Sequence, residues 1–99
     1  MYRMKIGVPK GLNVTTKPTA GEITTITFEK PVYYISIKNK SSSDTLYVSF
    51  DMRESWIDIA PGETIEIEPF ATKGKPTILL KSDGTNQPVR IIYRLVEGE

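Results

Sequence analysis

Apolar residues recur at every second position in short runs along this chain. Leu46, Val48 and Phe50 alternate with Tyr47 and Ser49, Ile57 with Ile59, and Ile65 with Ile67. A period of two places one set of side chains on a core and the other on the opposite face of a strand. The same signature predicts strands over Val32–Lys38, with Tyr33, Ile35 and Ile37 on one face, at Ile78 and Leu80, and over Val89–Val96, with Val89, Ile91, Tyr93 and Leu95 facing one way. Glu22–Glu29 is rich in threonine, which favours strand over helix; its spacing shifts from three (Ile23, Ile26) to two (Ile26, Phe28), as at a bulge. Met4, Ile6 and Val8 predict a short opening strand or an extended arm over residues 1–12.

Turn chemistry separates these runs. Ala60-Pro61-Gly62-Glu63 has the residues of a type II turn, proline fixing φ at i+1 and glycine supplying the positive φ at i+2. Type II geometry splays tight hairpins, so this corner either pairs neighbouring strands or carries the chain from one sheet to another. Asn39–Asp44 reads as the solvated tip of a hairpin, Asp51–Ser55 as a second polar loop, and Ser82–Asn86 as the plainest turn. Residues 9–21 carry Pro9, Gly11, Asn13, Pro18 and Gly21 and predict a loop crossing one end, with at most a weak strand at Val14–Thr16. Seven or eight short strands with no sustained helical period predict an all-β fold. The expected form is one antiparallel two-sheet sandwich over residues 1–99, immunoglobulin-like or jelly-roll.

Composition narrows the chemistry. Thirteen basic and twelve acidic residues give a net charge of +1, so no overall field draws the chain to nucleic acid or to an anionic membrane, and neither is expected as a partner. Cysteine and histidine are both absent, which removes disulfides, the usual zinc ligands and the commonest nucleophile–base pairs. No enzyme, metal or cofactor is expected. No apolar run is long enough to span a bilayer, and Gly7, Pro9 and Gly11 interrupt any signal-like segment, so use without export is expected.

Three constellations could carry chemistry, and each has a plainer reading. Asp51, Glu54 and Asp58 put three carboxylates around a loop, but they lack the alternate ligands and glycine of a calcium loop and read as a solvated connection. Lys38, Lys40, Lys73, Lys75 and Lys81 with Tyr33, Tyr34 and Tyr47 could line a nucleic-acid groove; strand-flanking lysines and strand tyrosines are the plainer reading. Glu66 and Glu68 would pair with Arg90 and Arg94 if their strands were neighbours. The informative feature is a set of apolar residues out of phase with the core: Tyr34, Tyr47, Trp56, Ile92 and Val96. Five such residues predict an outer surface covered by the N-terminal arm or by another chain, unless a reversed register makes Trp56 the centre of the core.

Three segments, Asp44–Phe50, Ile59–Ile65 and Pro88–Arg94, together resemble the small decoration or cement proteins of tailed-bacteriophage capsids. The resemblance implies a β-sandwich without catalytic residues, located in the virion after synthesis in the host cytoplasm. Its expected partners are the major capsid protein or another virion protein and copies of itself, as a trimer. The residues expected at contacts are Tyr34, Tyr47, Trp56 and Ile92. The alternative expectation is a carbohydrate- or ligand-binding module, with Trp56 and a tyrosine stacking on sugar rings and Asp51 or Asp58 accepting hydrogen bonds.

Overall fold

The computed structural model describes residues 5–98. They form nine strands: β1 (Lys5–Ile6), β2 (Lys10–Thr15), β3 (Thr24–Thr27), β4 (Val32–Asn39), β5 (Leu46–Ser49), β6 (Ile57–Ile59), β7 (Thr64–Ile67), β8 (Thr77–Ser82) and β9 (Pro88–Gly98). No helix occurs among the described residues, so none is long and apolar enough to cross a membrane.

The strands make two antiparallel sheets. One runs β2-β9-β4-β7, with β1 continuing along the β2 side of β9; the other runs β3-β8-β5-β6. The pairings β2–β9, β3–β8, β4–β7 and β5–β6 are nested, as in one long hairpin whose tip lies between Ser49 and Ile57. Rolling that hairpin on itself adds the contacts β4–β9 and β5–β8 and closes two sheets around a core. This strand order is a jelly roll and differs from the immunoglobulin arrangement of strands ABED against CFG.

The period-two alternation is realised in the core. Ile35, Ile37, Val89 and Ile91 from the first sheet face Leu46, Val48, Ile59, Ile78 and Leu80 from the second, all effectively inaccessible to solvent. Each such side chain contributes about 1.5–3 kcal/mol of transfer free energy. Phe28 and Tyr93 meet edge to face at 5.0 Å, and Phe50 and Phe70 do so at 5.1 Å, filling the far end.

The connections correct several sequence expectations. Asn39–Asp44 does not close a hairpin, because β4 and β5 belong to different sheets. The Pro61-Gly62 corner does carry the chain between sheets: Glu63 N–H donates to Ala60 C=O at 2.9 Å and Gly62 has φ +78°. Residues 10–15, expected within a loop, are a full strand on β9; Lys10–Thr15 alternates exposed with half-buried residues, and Leu12 and Val14 pack against the core. Lys5–Ile6 also pairs with β9, so the described part of the expected arm lies along its own chain; Met1–Met4 fall outside the described residues. Glu66 lies opposite Ser36, with β4 between it and the arginines of β9, so the conditional ion pairs do not form. Arg94 instead donates through Nε to the carbonyl of Gly7 at 2.8 Å.

Candidate functional site

The residues expected at contacts separate into two groups on opposite sides of the sandwich. On the first sheet, Ile92 of β9 lies opposite Ser36 of β4 and Gly11 of β2, and Tyr34 lies opposite Arg94. Tyr34 and Ile92 are half-buried, and Val96 is buried at 9% exposure. On the second sheet, Asp58, Tyr47 and Lys81 form one cross-strand row through β6, β5 and β8. Side chains directly opposite on one face stand close enough to touch.

Trp56 completes that row from the residue before β6. The Lys81 ammonium lies 4.2 Å from the centre of the Trp56 ring and 5.8 Å from that of Tyr47. Trp56 is half-buried on this outer face, so a reversed register does not hold; of the two isoleucines on the opposite face of β6, Ile59 is fully buried in the core while Ile57, nearer the strand's start, is 41% exposed. Around the row opens a cavity of about 430 Å³, lined by Gly21, Tyr47, Trp56, Asp58, Lys81, Ser82 and Asp83. The Tyr47 hydroxyl donates to Asp83 at 3.3 Å. Its acidity is suppressed below that of an ordinary tyrosine: desolvation acts first, then the hydrogen bond to Asp83, then the negative charges of Asp83 and Asp58.

The loop before Trp56 is built to hold its shape. Met52 (φ 56°) and Arg53 (φ 80°) are consecutive left-handed residues, the pattern of a type I′ hairpin turn. The Asp51 carboxylate accepts the Ser55 hydroxyl at 2.6 Å and the Ser55 N–H and Ser49 hydroxyl at 2.9 Å each. Those bonds, the two from Ser55 foremost, hold its pKa below the ordinary 3.8. Asp51 is thus engaged in shaping the turn, while Asp58 faces the cavity, and no group of three potential metal-ligating residues is gathered among the described residues.

The five lysines considered for a nucleic-acid groove are dispersed. Lys38 lies on the first sheet's outer face, Lys40 just past the end of β4, Lys81 on the second sheet's outer face, and Lys73 and Lys75 in the β7–β8 connection. Tyr47, Trp56 and Asp58, in contrast, are brought together as the ligand-binding alternative requires. The sequence groups Lys81 with Tyr47 only within the nucleic-acid set and gives no sign of Asp83 as a companion, because only the long-range pairing of β5 with β8 puts Lys81 beside Tyr47.

A second feature that the sequence did not announce lies at the adjacent end of the sandwich. Asn39, fully buried, donates through Nδ2 to the carbonyls of Asp44 (2.8 Å) and Ile59 (2.9 Å), and its Oδ1 accepts from Ser41 N–H and from Gln87 Nε2. Gln87 Oε1 accepts the Ser82 hydroxyl, which in turn accepts Gly84 N–H at 3.0 Å, and Gln87 N–H donates to the Thr16 hydroxyl at 2.8 Å. This network ties four crossing connections together and fixes Ser82 and Asp83 at the rim of the cavity.

No known family model matches the sequence, and no curated protein matches it. Among solved structures, the fold is similar to a de novo designed double-stranded beta-helix determined by solution NMR, with TM-score 0.55 and 19% identity over 86% of this chain and 96% of that one. The crystal structure of FlhE aligns over 90% of this chain and 98% of its own, at 5% identity and TM-score 0.41, too loosely to bear on the fold. The first likeness concerns the fold alone, and agrees with the strand order described above.

Proposed function

We propose that this protein is a non-enzymatic virion protein that decorates a phage capsid, docking on the shell through the Tyr47–Trp56 face. The observation that supports this reading most is the aromatic pair standing on an outer sheet face, where the alternation would otherwise place polar residues. Tryptophan and tyrosine concentrate binding energy at protein interfaces because they bury much area at little entropic cost. A lattice-bound oligomer needs two separate surfaces, and the two groups of outer-face residues meet that need. Tyr47 and Trp56 would meet the shell, and Tyr34 and Ile92 would meet neighbouring copies in a trimer. Binding many identical sites stabilises the assembled shell by mass action.

Asp58 and Asp83 beside the aromatic pair favour a second reading, a saccharide stacked on Trp56 and Tyr47 with its hydroxyls donating to the carboxylates. Co-sedimentation with phage shells assembled from major capsid protein tests the first. Wild-type protein should pellet with shells, and Trp56→Ala should lose at least tenfold in affinity while remaining folded. A protein that ignores shells and lights up a glycan array belongs to the second reading.

A further inference from the structure

We infer that the cavity between Tyr47 and Trp56 is a receptor for a basic side chain of the partner, an arginine above all, and that Lys81 occupies this place in the free protein. The inference rests on the docking face proposed above and names the chemistry it recognises. Lys81 places its ammonium 4.2 Å from the Trp56 ring centre and within 5.8 Å of Tyr47, so the aromatic pair already holds a cation. Two carboxylates, Asp58 and Asp83, line the same cavity. Neither forms an ion pair among the described residues, where the bridges are Lys30–Glu97 and Lys75–Glu29. One ammonium against two carboxylates leaves a negative charge uncompensated beside two electron-rich ring faces. An anionic ligand would meet that surplus charge as repulsion, whereas a cation that takes the place of Lys81 on the rings would be drawn to it.

Arginine suits this site better than the lysine it holds. A guanidinium is planar and weakly hydrated, stacks on an indole, and can place two parallel N–H donors on one carboxylate. An ammonium is a compact and strongly hydrated charge on a flexible stem, so leaving the ring for water costs Lys81 little. Docking would exchange a lysine–tryptophan contact for an arginine–tryptophan contact with a carboxylate fork.

Trp56 is the single tryptophan, so its fluorescence reports this cavity directly. The experiment titrates wild-type protein, Lys81→Met and the triple variant Lys81→Met/Asp58→Asn/Asp83→Asn with N-acetyl-argininamide, using the neutral isostere N-acetyl-citrullinamide as control. Removing the resident cation should tighten arginine binding about tenfold in Lys81→Met, and the triple variant should lose that gain. Citrulline should leave Trp56 unchanged in all three. Lys81→Arg, which keeps a cation on the rings, should bind the arginine probe no better than wild type and serves as the folded control. Equal response to citrulline, saccharide binding without an arginine response, or no gain in Lys81→Met would overturn the inference. Shell binding is read separately: shells bound without an arginine response sink this inference alone, and an arginine response without shell binding sinks the docking reading alone.

Discussion

The buried network around Asn39 and Gln87 and the cavity around Trp56 lie side by side, joined through Ser82, yet they treat polar groups in opposite ways. Asn39 is wholly enclosed, and its amide makes four hydrogen bonds. Asp58 and Asp83 stand at an open rim with no ion pair among the described residues, beside a lysine that prefers two aromatic rings. Enclosed polar groups must be satisfied within the chain, because each one left unpaired costs about 1–3 kcal/mol. Groups at a half-exposed rim are under no such constraint and remain available to a ligand. Internal satisfaction marks the first region as architecture, and the incomplete pairing of Asp58 and Asp83 is what the second would need as the recognition surface proposed above.

Breaking the network should have the largest effect of any single change considered. Asn39→Ala leaves two carbonyls, one N–H and the Gln87 amide without their partner, and should lower stability by roughly 3 kcal/mol. In a chain of this size that is a fall in Tm of more than about 10 °C by thermal denaturation. Gln87→Ala should cost about 2 kcal/mol, and the double variant little more than Asn39→Ala alone, since both remove one connected network. Strict additivity would show that the two residues act separately. Shell or arginine affinity of the folded fraction should be unchanged; a parallel loss would mean that the network tunes the cavity through Ser82, and the division between the two regions would fail.

Trp56→Ala should show the reverse pattern. Its ring is half-buried and its main polar contact is the Lys81 ammonium, worth about 0.5–1 kcal/mol; with the ring burial that is also lost, unfolding in denaturant should move by roughly 2 kcal/mol, less than for Asn39→Ala. Partner binding should fall at least tenfold. A loss of stability with partner binding of the folded fraction unchanged would return Trp56 to a structural role.

Why the alternation could be read from the sequence while these two sites could not follows from range. Ile35, Ile37, Val48, Ile59 and Ile91 announce their burial through local period, which needs no knowledge of partners. The Pro61-Gly62 corner was legible for the same reason, because turn chemistry is local. Ile26 and Phe28 belong to one face with shifted spacing, and Lys10–Thr15 hides its strand behind Gly11 and Asn13, which merely occupy the outer side. Asn39 reads as the start of a hairpin tip because asparagine is common in turns, and two of its partners, Ser41 and Asp44, are indeed local; the two that bury it in the network lie 20 and 48 positions away. Tyr47 and Trp56 were recognisable as misplaced apolar residues. That Tyr47 would meet Lys81 and that Tyr34 and Ile92 would lie on the other side depended on how the nested hairpin rolls, which no short window encodes.

The smallest expected effect concerns the tip of that hairpin. Met52 and Arg53 both adopt positive φ, a conformation that disfavours side chains and suits glycine at the second position of a type I′ turn. Arg53 is exposed, and its N–H donates to Ser49 Oγ at 2.9 Å, a bond that glycine retains. Arg53→Gly removes the strain of a left-handed residue and gives back part of the gain as added freedom in the unfolded chain. A net stabilisation of about 0.5–1 kcal/mol should appear as a higher denaturant midpoint. Because Asp51 and Ser55 still clamp the loop, the Trp56 emission maximum and the affinity for arginine should stay as in wild type. A gain in stability with a loss of affinity would mean that the strain itself aims Trp56 into the cavity, and the recognition surface would then extend to the turn at which the whole fold doubles back.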